Sequence, residues 1–162
     1  NKGKSLKESK CKSIIDDIFK AAKNHCCKIV YPMEVAIGKS MEGKAQIKEL
    51  NEITNDDLIL DIGPKTINKI KDTIENSKTI LWNGPAGYFE NENFIAGTLS
   101  IANTISKNTA DKSLISILGG GDTISAINKS KNKLSFTHLS TAGGAFLEFL
   151  EGKDLPGLEV LK

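Results

Sequence analysis

Three apolar, β-prone runs in this chain each break into a glycine-rich loop and then resume at helical spacing. They are KTILW at residues 78–82, LISIL at 114–118 and LSFTHL at 134–139. A strand that hands over to a helix through a short loop is the repeating unit of a parallel sheet, because the chain must cross over before it can pair again in the same direction. The same alternation begins earlier. DLILDIG at residues 57–63 reads as a buried strand ended by Gly63, and Pro64 at a first helical turn opens a helix through Ile67, Ile70 and Ile74. Ahead of it, KIVYP and VAI read as short β-prone runs. Ser5 and Glu8 have the spacing of a capping box before an amphipathic helix carrying Ile14, Ile15, Ile18, Phe19 and Ala22. Further helices are expected through Ile95, Leu99, Ala102 and Ile105, from about Asp122, and from about Gly144 to Glu151. The pattern predicts an α/β, doubly wound parallel sheet with helices on both faces.

The chain has 162 residues, of which 39% are hydrophobic, enough for one ordinary core. Its net charge of +2 and its interleaved lysines and acids describe a solvated surface. Every basic residue is lysine, so the planar fork that reads guanine or clamps phosphate is missing, and no nucleic-acid partner is expected. No apolar stretch is long enough for a membrane span, so no membrane partner is expected either. Cys11, Cys26 and Cys27 are odd in number and two are adjacent, which fits a reducing, cytoplasmic location better than a disulfide framework. With Asn1 in place of an initiator methionine, the chain is expected to begin inside a longer protein.

In parallel sheets ligands collect beyond the carboxyl ends of the strands. The loops there are WNGPAGYFE at 82–90, GGGDT at 119–123 and STAGGA at 140–145. Glycine lets backbone amides approach an anion closely, so the three together suggest a phosphate-binding rim. Each glycine could equally serve only to turn the chain. Asp122 would repel a phosphate unless a cation lay between them, which points to Mg²⁺ carried by a nucleotide, although an aspartate here could equally cap a helix. There is no GxxxxGK[ST] loop, and Ile124 stands where a dinucleotide fingerprint starting at Gly119 needs its last glycine. The residues alone reach as far as a phosphorylated ligand.

ILWNGPAGYFE, FIAGT, GGGDT, THLSTAGGAFLEFLEGKDLPGLEVL and the earlier DIGPKT, in this order, resemble the carboxyl-terminal portion of the phosphoglycerate kinase family. The resemblance covers nearly the whole chain. It implies a two-lobed, glycolytic kinase that exchanges a phosphoryl group between 1,3-bisphosphoglycerate and ADP, giving 3-phosphoglycerate and ATP. Residues 1–162 would be a partial carboxyl-terminal nucleotide-binding domain, with the amino-terminal substrate lobe and the first strands of the nucleotide lobe absent. Carried over by motif, Glu90 would accept the ribose hydroxyls, and Pro85, Gly87 and Tyr88 would line the base. Asn83 and Gly119, Gly120, Gly121, Asp122 and Thr123 would lie at the phosphates of ADP or ATP, with Asp122 on Mg²⁺. Gly143 and Gly144 would face the transferred phosphoryl group, in a loop where Ala142 replaces a usual third glycine and Phe146 a usual small residue. The phosphoglycerate would be held by the missing lobe, and the parent protein is expected to be monomeric.

The segment alone is expected to be inactive, and it could also be a non-catalytic nucleotide-binding or interaction remnant of such an enzyme. A nicotinamide-binding domain is disfavoured by Asp122 and by the missing fingerprint. Trp82 and His138 read as packing residues. His25, Cys26 and Cys27 are consecutive, so their side chains diverge and a metal site is not expected there.

Overall fold

A computed structural model describes residues 2–6 and 11–161. In chain order the elements are helix α1 (Lys12–Asn24), strands β1 (Glu34–Gly38), β2 (Gln46–Glu49) and β3 (Leu58–Ile62), helix α2 (Pro64–Glu75) and strand β4 (Thr79–Asn83). There follow helix α3 (Ala96–Ala110), strand β5 (Ile115–Gly119), helix α4 (Gly121–Ile127), strand β6 (His138–Ser140), and helices α5 (Gly143–Leu150) and α6 (Pro156–Glu159). The α/β reading holds, and the second half forms the expected parallel sheet in the order β4-β5-β6. The first half differs. Strands β2, β1 and β3 make a separate antiparallel sheet, because residues 39–45 and 50–57 are too short to carry a crossover helix. KIVYP forms no strand, whereas VAI lies inside β1.

The amino-terminal expectation also needs correction. The Ser5 hydroxyl accepts a hydrogen bond from the Ile59 amide at 2.8 Å rather than capping a helix, and α1 starts only at Lys12. Glu8, the other half of the expected capping box, lies outside the described residues. LSFTHL is strand only at its end. There the Thr137 hydroxyl accepts from the Ser116 amide at 3.1 Å and the Ser116 hydroxyl from the Thr137 amide at 3.0 Å, so side chains stand in for ladder bonds.

Helices α2 and α3 meet over one face of the parallel sheet. Ile74, Ile101, Ile105 and Leu114 form its core with Ile80 and Trp82, and Ala102, Leu118 and Ile127 continue it under Leu134 and Phe136. The other face is covered less fully by the described residues, and Leu81 and Ile115 remain exposed there. Neither α2 nor α3 has a capping side chain of its own, because Gly63 and Ile95 occupy the N-cap positions. Strand carboxylates replace them. Buried Glu34 accepts from the Lys65 amide at the start of α2, and buried Asp61 accepts from the Gly97 amide at the start of α3 at 2.8 Å. A third buried carboxylate, Asp57, is gripped by Lys39 and Lys48 at 2.7 and 2.8 Å and by Thr54, which together hold it far below the usual carboxylate range.

Candidate functional site

The register of the parallel sheet aligns the ends of its strands. Asn83 lies opposite Gly119, and Gly119 opposite Ser140, so the three loops leave the sheet side by side. They then close on one another. A side chain added at Gly119 or Gly120 would meet the Asn83 Oδ1 at 3.0 or 3.1 Å, and one added at Gly143 would meet the Gly120 Cα at 3.3 Å. Gly84 and Gly120 have φ of +96° and +91°, a conformation that disfavours any other residue. At Gly121 and Gly144 a side chain would meet nothing within 4 Å, so the space beside both is open.

Asn83, Gly119, Gly120 and Gly143 are thus brought together as the sequence suggested, with Gly121, Asp122 and Gly144 on the open side. Asp122 is exposed and has no ion pair among the described residues. No cluster of three or more acidic, histidine or cysteine side chains able to hold a metal occurs among them either. Thr123 turns its side chain inward. The residue is fully buried, and its hydroxyl accepts from the Gly84 amide at 2.7 Å and so braces the loop. Ala142, at φ −85°, has no left-handed strain for a glycine to relieve. Phe146 packs its ring against Gly119 from below.

The first loop turns away from the sheet between the two halves of the molecule. The Tyr88 amide donates to the Leu60 carbonyl at 2.6 Å and the Ala86 amide to the Thr98 hydroxyl at 3.0 Å. These bonds shape a cleft of about 330 Å³ with Pro85, Gly87 and Tyr88 on one side and Ile59, Leu60 and Asp61 on the other. Glu90 is exposed beyond it and shares a second cleft with Tyr88, Met41 and Glu42. Asp61 and Lys129 were missed from the sequence. The Asp61 carboxylate fills the space that side chains at Gly87 and Gly97 would need. Burial raises its pKa, outweighing the opposing amides of Gly97 and Ile62. An acid inside an apolar run was the available signal. Lys129 offered none, yet its Nζ reaches the Phe89 and Glu90 carbonyls at 2.9 and 3.2 Å.

Trp82 lies in the core, with its indole N–H donating to the Gly84 carbonyl at 2.7 Å. His25, Cys26, Cys27 and His138 are exposed.

A sequence model of the phosphoglycerate kinase family matches residues 1–153. The chain belongs to the phosphoglycerate kinase family. It is 41% identical to the phosphoglycerate kinase of Zymomonas mobilis over 99% of its own length, and 43% identical to that of Francisella philomiragia over all of it. It spans about 41% of the length of either relative. The phosphoglycerate kinase structure from Coxiella burnetii superposes on the whole chain with a TM-score of 0.88 at 36% identity, covering 41% of that protein. The one from Pyrococcus horikoshii superposes on 99% of the chain with a TM-score of 0.70 at 28% identity, covering 40% of that protein. No helix among the described residues of this phosphoglycerate kinase segment is long and apolar enough to cross a membrane.

Proposed function

We propose that this chain is the nucleotide-holding part of a cytoplasmic phosphoglycerate kinase, which passes a phosphoryl group between 1,3-bisphosphoglycerate and ADP. The observation that carries the reading is the convergence of three glycine loops at the level ends of β4, β5 and β6, around Asn83, Gly120 and Gly143. Gly121 and Gly144 lie in the first turns of α4 and α5 with open space beside them, where amides left free by the helix could donate to phosphate oxygens, and the cleft between β3 and Pro85–Tyr88 suits a flat base. Glu90, exposed at the far end of that loop, would accept from the ribose hydroxyls. Asp122 would hold Mg²⁺ together with the nucleotide. An exposed carboxylate with no ion pair among the described residues fits an ion that takes one carboxylate and the rest of its oxygens from phosphates and water. Bound there, the ion would neutralise phosphate charge. Transfer of this kind depends on alignment and charge stabilisation, so amides and an ion-holding carboxylate suffice on the nucleotide side without a group that moves a proton.

The chain spans about 41% of its relatives, so turnover is proposed for the full family fold and nucleotide binding for this chain. The test is calorimetric titration of the chain with ADP, with Mg²⁺ or with chelator. Asp122→Ala should weaken binding by about tenfold in Mg²⁺, the size of one lost charged contact, and much less in chelator. Equal losses in both would reduce Asp122 to a charge in the first turn of α4, whose N-cap is Gly120.

A further inference from the structure

The loop at residues 84–90 is fastened to both ends of α4. At its start the Gly84 amide donates to the buried Thr123 hydroxyl, in the first turn of the helix. At its end Lys129, two residues past the helix, donates to the Phe89 carbonyl at 2.9 Å and the Glu90 carbonyl at 3.2 Å. The Lys129 ammonium also sits 5.5 Å from the centre of the Phe89 ring, within the range of a cation–π contact, and has no ion pair among the described residues. Between these ties the Ala86 amide is held by Thr98 of α3. The Gly84 and Lys129 bonds tie the loop to α4, and the tied unit carries Glu90 at one end and Asp122 at the other.

We propose that Lys129 is a positioning residue, fixing the separation between the ribose acceptor Glu90 and the phosphate-side residues around Asp122 so that one ribonucleoside diphosphate spans both. The proposal rests on the nucleotide reading of this site. A preset separation spares the ligand the cost of ordering the loop, so its loss appears as a weaker preference for ligands that use both ends. Lys129→Met keeps the apolar stem and removes the donors, and Lys129→Arg restores donors.

Two measurements on the whole chain decide it. The first is amide hydrogen exchange without ligand, where Lys129→Met should speed exchange within residues 84–90 by about tenfold and leave α2 unchanged. The second is the ratio of affinities for ADP and 2′,3′-dideoxy-ADP in Mg²⁺. Lys129→Met should lower that ratio by about fivefold at an unchanged thermal midpoint, and Lys129→Arg should recover it. Unchanged exchange, or faster exchange with an unchanged ratio, overturns the proposal, the second outcome leaving Lys129 a structural brace. If the unaltered chain binds neither nucleotide, the nucleotide reading falls and the positioning role with it, while exchange still tells whether Lys129 ties the loop to α4.

Discussion

Helices α1 and α3 invert what their sequences advertise. In α1 the apolar residues segregate sharply to one face, yet none of its residues is buried, and Ile14 and Phe19 remain 58% and 51% exposed. In α3 the pattern is blunter, mixed with threonine, serine and asparagine, yet Gly97, Thr98, Ile101, Ala102, Thr104, Ile105 and Ser106 are all buried. Asn103 and Thr104 turn back to the carbonyls of Leu99 and Ser100 one helical turn earlier, while the buried Thr98 and Ser106 hydroxyls accept from the Ala86 and Ser135 amides, which makes polar residues tolerable in the interior. An amphipathic stripe states which face needs a partner and does not supply one. Helix α3 has partners on several sides, among them α2, β5 and the Asp61 carboxylate.

The sharpest break of this contrast is Ile105→Ala. Ile105 is 1% exposed between α2 and the parallel sheet, so its truncation should cost about 2–5 kcal/mol in denaturant unfolding, and a cost below about 1 kcal/mol would mean that α3 is not the core helix.

Next in size is the carboxylate that starts α3. Asp61→Ala leaves the buried Gly97 amide unpaired and should cost about 1–3 kcal/mol. Asp61→Asn keeps an acceptor and removes the charge. Because burial raises the folded pKa of Asp61, its contribution is fully present below the unfolded value of about 3.9 and is lost as pH rises through the folded value. The stability difference should therefore move in favour of the asparagine variant as pH rises above about 4. A difference that is flat with pH would show that Asp61 titrates normally.

The smallest effect is expected on α1. Ile18→Ser with Phe19→Ser should change stability by no more than about 0.5 kcal/mol, because neither side chain is buried. Sedimentation should nevertheless report less self-association, since exposed apolar faces drive it. A clear loss of stability in the monomer would give α1 a packing role in this chain that its exposure does not suggest.

The candidate site was readable in the sequence to the extent that glycine is informative. GGGDT and WNGPAGYFE could be placed at strand ends because a strand, a glycine break and a returning helical period are local patterns. Strand β2 could not be found. QIKE is polar and mostly exposed, and it is a strand only because β1 pairs with it, Val35 opposite Lys48. Nor could the caps of α2 and α3, whose acceptors come from Glu34 and Asp61, 31 and 36 residues away. Thr123 was placed at the ligand by its motif, and only Gly84 arriving from another loop shows that its hydroxyl is already used.

The sequence by itself determined the alternation of strand and helix, the break at Gly63 and Pro64, the position of every glycine loop, and the family. Each of these is written in neighbours a few residues apart, where propensity, periodicity and backbone freedom act. Tertiary structure alone decided that the first three strands run antiparallel, that Leu81 and Ile115 stay exposed on one face of the parallel sheet, and that Asp61 and Lys129 hold the loops of the site. Those outcomes depend on which distant groups meet. A buried carboxylate or an amide at a helix start must find a partner wherever the fold provides one, and no local pattern records where that is.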